Sequence, residues 1–346
     1  MFNLVSVKTT KILLYFFGII CYNSPKNKDR EDSKMSIIVI GATFVDIKGF
    51  PLDSYIPTGR NVGRVEYIHG GVARNVVEDI ANVELRPTFL GIVDDTPMGA
   101  DVLKKLRNHK VNVDYVLTIP DGMGTWLAVF DNNGDVAGSI SKRPNMLPVA
   151  DLLEEKGDEI FSRAKSVVLE VDLDKEIVKL TLELAQKYGV KVFGVVSNMS
   201  IAAKRRDFLR QFDCFICNQQ EAGQLFVDDY SELSPEQMGE VLKEKVQSAR
   251  ISSMVVTMGA RGAVYADAQG NSGVCPAKMV QVKDTTGAGD AFCAGVSIGL
   301  TYGKTLAEAI DIGSTLAASV IISSENVCPR FMPEELGLEI GDLQHV

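Results

Sequence analysis

A chain of 346 residues, 46% hydrophobic and 23% charged, can bury a large α/β core as one domain or one domain with a smaller companion. Its formal net charge of −9, spread without an acidic tail or a basic stripe, argues against a nucleic-acid backbone or an anionic membrane surface as the main partner. Six thinly spread cysteines exclude a disulfide framework and point to a reducing compartment, the cytoplasm.

The opening segment stands apart. Residues 12–21 are a continuous apolar run with Lys8 and Lys11 upstream and a polar stretch at 23–34 behind it. The run is short for a membrane span, and no small-x-small cleavage site follows. Residues 1–34 are expected to be an N-terminal extension, poorly ordered or upstream of a functional start at Met35; a signal or anchor is the alternative.

Residues 37–40 read as a buried strand closed by Gly41, with Asp46 just past its end, where ligands gather in open α/β sheets. Residues 47–69, rich in glycine and proline and without helical period, read as irregular β structure. Gly70-Gly71-Val72-Ala73-Arg74-Asn75 then enters a helix to about residue 83. A glycine pair there lets a ligand approach the backbone, and Arg74 and Asn75 offer directed donors; a tight turn with a surface arginine is the structural alternative. A strand at 88–93 and a helix at 99–109 follow. Segments 113–119, 125–131 and 136–141 are separated by Asp121-Gly122 and the hairpin signal Asn132-Asn133-Gly134-Asp135. They predict a small antiparallel sheet, inserted between βα units and paired with 47–69 as a second layer.

Beyond residue 149 the alternation is regular. Helix 149–163, strand 166–171, helix 174–188, strand 190–196, helix 201–211 and strand 214–217 come first. Helices 219–226 and 234–249 and strands 254–258 and 263–266 follow. The strands are continuous apolar runs, as when helices cover both faces. Cys214-Phe-Ile-Cys217 lies within one of them; with no second pair and three scattered histidines, it reads as buried thiols rather than a metal or redox pair.

Asp284-Thr-Thr-Gly-Ala-Gly-Asp-Ala-Phe292 is the segment hardest to explain by folding alone. Gly287, Ala288 and Gly289 precede a helix with an apolar face at Ala291, Phe292, Gly295, Val296, Gly299 and Leu300. Bare N–H groups and the helix dipole make such a start an anion site. Asp290 would repel an anion, yet fits if it takes a proton while the N–H groups hold a phosphoryl group; a glycine-rich helix start is the alternative. Asn218-Gln-Gln-Glu221 could hold hydrated magnesium or simply be an N-cap with its capping-box partner. Thr257-Met-Gly259-Ala-Arg-Gly262 offers either a nucleotide contact or an ordinary turn. Thr305-Leu-Ala-Glu308 is a capping box for a last helix to about residue 323.

Jointly and in this order, these segments resemble the ribokinase-like (PfkB) carbohydrate and nucleoside kinase family over residues 36–330. The resemblance implies a three-layer αβα fold with a mostly parallel central sheet. A kinase domain at 35–330 would carry a small inserted β lid from about 47–69 and 111–141, with 331–346 as a tail. It implies ATP as phosphoryl donor, Mg2+, and in some members K+. By the family pattern Asp290 is the general base, and the backbone of Gly287, Ala288 and Gly289 forms the anion hole. Asn218 and Glu221 help position Mg2+, while Thr257, Gly259 and Gly262 border the nucleotide. Asp46, Gly70, Gly71, Arg74 and Asn75 hold the acceptor, and Asp172, at the end of strand 166–171, is expected to face it. Asp284 and Thr286 match positions that shape a monovalent-cation site.

Within the family, Gly70–Asn75, Phe130-Asp-Asn-Asn-Gly-Asp135 and Pro144-Asn-Met146 look most like pseudouridine kinases. Conversion of pseudouridine to its 5′-phosphate is therefore the expected reaction, with a free sugar or another nucleoside as the alternative acceptor. Gly194-Val-Val-Ser197 and Ser141-Lys-Arg-Pro144 depart from the pattern on the acceptor side. A non-catalytic sugar or nucleoside sensor is the alternative of another class. A dinucleotide enzyme is opposed by Gly41-Ala-Thr-Phe-Val-Asp46, which lacks the Gly-x-Gly-x-x-Gly turn. The expected partners are ATP, a small sugar or nucleoside, and a second copy of the chain paired through the lid.

Overall fold

Apolar runs with no polar face are satisfied only between two layers, and the central sheet is built that way. In the computed structural model, which describes residues 36–339, Ser36–Ile40 (β1) sends Ile37 and Val39 to one face and Ile38 and Ile40 to the other. All four are at most 2% exposed. Expectations for residues 1–34 and 340–346 lie outside the described residues.

From β1 the chain enters Phe44–Pro51 (β2) and Gly63–Gly70 (β3), then returns through Val72–Asn82 (α1) to Thr88–Val93 (β4). Pro97–Asn108 (α2), Val116–Thr118 (β5), Gly124–Phe130 (β6) and Val136–Lys142 (β7) follow. Next come Pro148–Phe161 (α3), Ala164–Glu170 (β8), Lys175–Tyr188 (α4) and Lys191–Val195 (β9). Met199–Ala202 (α5) and Arg206–Leu209 (α6) flank a 3-10 turn before Cys214–Asn218 (β10) and Gln219–Phe226 (α7). Pro235–Ala249 (α8), Ser253–Thr257 (β11), Ala263–Asp267 (β12), Ser272–Cys275 (β13), Ala288–Thr301 (α9) and Leu306–Ile321 (α10) complete the main elements.

The large sheet runs β13-β12-β11-β10-β9-β8-β1-β4-β5, parallel except where β12 and β13 join. Residues of α1, α2, α9 and α10 pack on the face of Ile37 and Val39; α3, α4, α7 and α8 cover the other. The chain builds outward from β1 to β4 and β5, then from β8 in the opposite direction. That reversal beside β1 leaves a crevice at the carboxyl ends of the strands.

The smaller sheet, in order β3-β2-β6-β7, leaves the end of β1 after three residues. Register puts Asp46, Lys48 and Phe50 on one face with Trp126, Ala128 and Phe130, and the Phe50 and Phe130 rings stack at 4.8 Å. Val65, Tyr67, Leu127 and Ile140 lie on the opposite face, 41–72% exposed.

Three expectations are corrected. Residues 47–69 are not irregular throughout: β2 and β3 pair in an eight-residue antiparallel ladder on either side of a loop at 52–62. Their alternation is blurred because this sheet is only partly buried on either face. Segment 113–119 belongs not to the inserted layer but to the large sheet, where β5 pairs in parallel with β4 and Val111 and Val113 are buried. Helix 201–211 breaks into α5, a 3-10 turn and α6. The described part of the tail is packed: Phe331 N donates to Asn82 O, and Leu336 and Leu338 are buried on the α1 side. Cys214 and Cys217 are buried in β10, and burial pushes the Cys214 thiol up to about 12.

Candidate active site

The first turn of α9 sits at the crevice. Gly287 caps it with φ 82°, and a Cβ there would lie 2.0 Å from Asn326 O. At Gly289 a Cβ would meet nothing within 4 Å, so this backbone is open to the cleft. Asp290 follows, half-buried, its Oδ2 accepting from Asn75 Nδ2 at 2.6 Å. Burial pushes its carboxyl up from 3.8 to about 6; Asn75 and Arg74 lower it, while Asp46 and Glu221 raise it further. A carboxylate of that strength titrates near the working range of a general base.

On the lid side, Asp46 faces the same crevice, raised by burial and lowered by Lys48 and Arg74. Gly70 leaves room beside it: a Cβ there would come within 2.7 Å of the Asp46 carboxylate, which would have to shift. Gly71 turns the chain into α1 at φ 99°. Asn75, one turn on, bridges rather than waits: it donates to Asp290 and accepts from Asn326 Nδ2 at 3.3 Å.

Two expected acceptor residues are placed differently. Arg74 is 1% exposed, and its guanidinium is spent on Glu78 Oε2 at 2.5 Å and on the carbonyl of His69. It ties the end of β3 to α1 instead of reaching the cleft, because a buried guanidinium needs a buried carboxylate. Asp172 is 2% exposed and fully occupied: Oδ2 accepts from Arg143 Nη2 at 2.8 Å and Ser197 Oγ at 2.9 Å, Oδ1 from Ser197 N at 2.9 Å. It pins the segment after β7 to the end of β9.

A cavity of about 160 Å3 opens on the far side of the α9 turn. Thr257, Gly259 and Gly262 border it together with Ala288 and Gly289, and Ala317 and Ile321 of α10 supply an apolar wall. Asn218 and Glu221 form a reciprocal capping box, Asn218 Oδ1 accepting from Glu221 N and Glu221 Oε2 from Asn218 N, both at 2.8 Å. Burial raises the Glu221 carboxyl, and its charge is felt at Asp290. Asp284 Oδ1 accepts from Thr286 N at 2.9 Å, shaping the loop before Gly287. Among the described residues no set of three or more His, Cys, Asp or Glu side chains converges to hold a metal directly.

The profile of the pfkB family of carbohydrate kinases matches residues 34–330. The chain belongs to that family. The guanosine-inosine kinase of Exiguobacterium acetylicum is 36% identical over 292 residues, covering 84% of this chain and 95% of that one. The pseudouridine kinase of Escherichia coli K12 is 27% identical over 285 residues, covering 79% and 86%. The structure of Arabidopsis thaliana ribokinase complexed with ribose and ATP superposes with a TM-score of 0.75 at 20% identity, covering 87% and 98%. The kinase thus has the ribokinase-like fold and belongs among the sugar and nucleoside kinases.

Several residues that position the kinase's site carried no sequence signal. Asn326 is 8% exposed and donates to His69 O at 2.8 Å as well as to Asn75. Two residues on, Cys328 N is held by Asp79 Oδ1 at 2.6 Å, so the segment after α10 is clamped to α1. Arg143 and Ser197 fall within the two departures from the family pattern, and it is there that they take up Asp172. Trp126, paired in register with Asp46, was legible only as a strand residue.

Proposed function

We propose that this kinase transfers the γ-phosphoryl group of ATP to the 5′-hydroxyl of a nucleoside, with guanosine and inosine preferred to pseudouridine. The observation that carries a nucleoside is the aromatic set Phe50, Trp126 and Phe130 on the Asp46 face of the lid, Trp126 directly opposite Asp46 in register. A ribose held by Asp46 would put its base within reach of an aromatic platform, which a free sugar does not need. The purine choice is supported by the 36% identity to a guanosine-inosine kinase against 27% to a pseudouridine kinase.

In this reading Asp46 and the backbone at Gly71 hold the ribose hydroxyls. Asn75 holds Asp290 Oδ2, leaving Oδ1 for the attacking hydroxyl. The hydroxyl oxygen bonds to the γ-phosphorus as the bond to the ADP oxygen breaks, and the proton passes to Asp290. The N–H groups of 287–289 face the transferred group. Asn218 and Glu221 would help position the Mg2+ bound with ATP, which would neutralise charge on the phosphates. Asp284 and Thr286 remain the proposed border of a K+ site. The exposed Val65, Tyr67, Leu127 and Ile140 face supports pairing of two lids in a homodimer. The described cysteines are all free, which supports a cytoplasmic enzyme.

ADP release measured in parallel with guanosine, inosine, pseudouridine, uridine, cytidine, ribose and fructose 6-phosphate tests the acceptor. Guanosine and inosine are expected to lead; pseudouridine leading would overturn the purine choice, and ribose or the hexose phosphate alone would overturn the nucleoside. Trp126→Ala is expected to raise the nucleoside KM while leaving that for ATP unchanged, base stacking being worth about 1–3 kcal/mol. Trp126 is the only tryptophan, so nucleoside binding should also perturb the intrinsic fluorescence. Gly70→Ala, by displacing the Asp46 carboxylate, is expected to raise the acceptor KM about tenfold or more as hydroxyl partners are lost. Steady-state kinetics at saturating ATP would show it.

A further inference from the structure

A side-chain amide has a donating end and an accepting end, and the polar groups behind Asp290 fix which way round two of them lie. The carbonyl of His69, near the end of β3, can only accept. It takes the guanidinium of Arg74 and, at 2.8 Å, Nδ2 of Asn326. Asn326 must therefore turn its nitrogen toward β3, and that nitrogen also donates to Asn75 Oδ1 at 3.3 Å. With its oxygen taken up in this way, Asn75 has its own nitrogen left for α9, and Nδ2 donates to Asp290 Oδ2 at 2.6 Å. The polarity of the chain runs from a backbone carbonyl on the lid to the carboxylate in the first turn of α9.

Asn326 is itself held in place. It is 8% exposed, and two residues on Cys328 N donates to Asp79 Oδ1 at 2.6 Å, which moors the segment to α1. Its backbone lies under Gly287, where a Cβ would stand 2.0 Å from its carbonyl oxygen. One residue thus abuts the glycine that opens the turn and, through Asn75, the acid that follows it. A reversed Asn75 amide would set oxygen against the Asp290 carboxylate, a repulsive pairing unless that carboxylate carried a proton. The direction of the amide, beyond its presence, decides which protonation state of Asp290 is favoured.

We propose that Asn326 is a positioning residue of phosphoryl transfer, which takes its orientation from the His69 carbonyl and presents the nitrogen of the Asn75 amide, not its oxygen, to Asp290. The role rests on Asp290 as the base and not on the choice of acceptor. Oδ2 stays an acceptor throughout, so the proton that leaves the attacking hydroxyl is received on Oδ1. Burial pushes the Asp290 carboxyl up to about 6, and the Asn75 hydrogen bond is the foremost influence drawing it back down. Arg74 of α1 also lowers it, while Asp46 of β2 and Glu221 of α7 raise it. Asp79 of α1 and Cys293, one turn on in α9, feel its charge as well. Of these groups the Asn326 side chain bonds to Asn75, while Asp79 holds the same segment through Cys328 N.

Asn326→Leu keeps much of the bulk and removes both donations without adding charge. It is expected to move the acid side of the kcat–pH profile up by about one unit, so that turnover falls about tenfold more at pH 5 than at pH 9. A purely structural loss would lower the profile alike at every pH. Read directly by carbon NMR of aspartate-labelled protein, with Asp290→Asn to assign the signal, the Asp290 carboxyl should titrate about one unit higher in Asn326→Leu than in the wild type. Asn75→Leu should raise it at least as much, and Asn326→Leu added to that variant should raise it no further, since the effect travels through Asn75. These titrations need no substrate, so they read Asn326 even if every nucleoside in the panel fails. Should Asn326→Leu not fold, the wild type suffices: the Asn75 side-chain amide, followed by nitrogen NMR, should titrate together with Asp290, at about 6. An unmoved acid limb and carboxyl in Asn326→Leu would overturn the proposal, as would an Asn75 amide blind to that titration. Additive shifts in the double variant would overturn it too, assigning the effect to Asp79.

Discussion

Asp290→Asn is expected to give a folded, ATP-binding protein whose turnover has fallen by about 10²–10⁴, the usual contribution of a positioned base. Asparagine keeps the oxygen that accepts from Asn75 at 2.6 Å, so the bridge from α1 to α9 survives and only the proton acceptor is lost. In the wild type, Asp290 must be ionised to act, and burial has moved it from 3.8 to about 6. Turnover should therefore rise with pH through about 6 and level off above 7, falling roughly tenfold per unit on the acid side. The same shift carries a stability effect of opposite sense. A carboxyl with a higher pKa folded than unfolded stabilises the fold below about 4, and that contribution is lost as pH rises through about 6. At neutral pH the ionised Asp290 thus costs about 1–3 kcal/mol, the lower figure allowing for solvent in the cleft. The variant should then melt higher than the wild type at pH 8 and at about the same temperature at pH 4, so that at pH 8 the inactive protein is the more stable one. Calorimetry at both values, with ADP release across pH 5–9, tests the pair; an active variant, or one that melts lower at pH 8, would remove Asp290 from its role.

Gly287→Ala is expected to be the most destabilising single change in the site, by about 3 kcal/mol or more. The left-handed φ of 82° alone costs an alanine about 1–2 kcal/mol. The new methyl would also meet the Asn326 backbone, 2.0 Å from its carbonyl oxygen, and neither strand of chain there is a flexible side chain that can yield. Moving Asn326 would release its hold on Asn75 and His69 O, so activity should fall beyond what the loss of stability explains. Denaturant unfolding with and without saturating ADP measures this; an alanine variant within about 1 kcal/mol of the wild type would show that the loop is looser than this contact implies.

Local pattern carried much of the architecture. The strands of the large sheet announce themselves because each is apolar on both faces, and the capping boxes at Asn218 and Thr305 mark their helices directly. The lid was harder. β2 and β3 have one face on the crevice and one toward solvent, and their inner face carries Asp46 and Lys48, so neither alternation nor hydrophobicity singles them out. β5 escapes local pattern because three residues at a sheet edge pair with β4 through register, not composition. Asn218 shows the limit for sites: with Glu221 it forms a reciprocal helix cap, and a cap and a magnesium-positioning pair leave the same local pattern.

What the sequence by itself determined is the chemistry. The string from Asp284 to Phe292 combines a left-handed glycine, bare helix N–H groups and an acid in the first turn, all properties of neighbouring residues. What only the tertiary structure decided is which distant groups meet there. Asn75 and Asp290 are 215 residues apart and Asn326 and Asn75 are 251 apart, so their hydrogen bonds exist only through the packing of α1 against α9 and the closing segment. The same packing buries Arg74 on Glu78 and withdraws it from the cleft, while pairing of β2 with β6 brings Trp126 opposite Asp46.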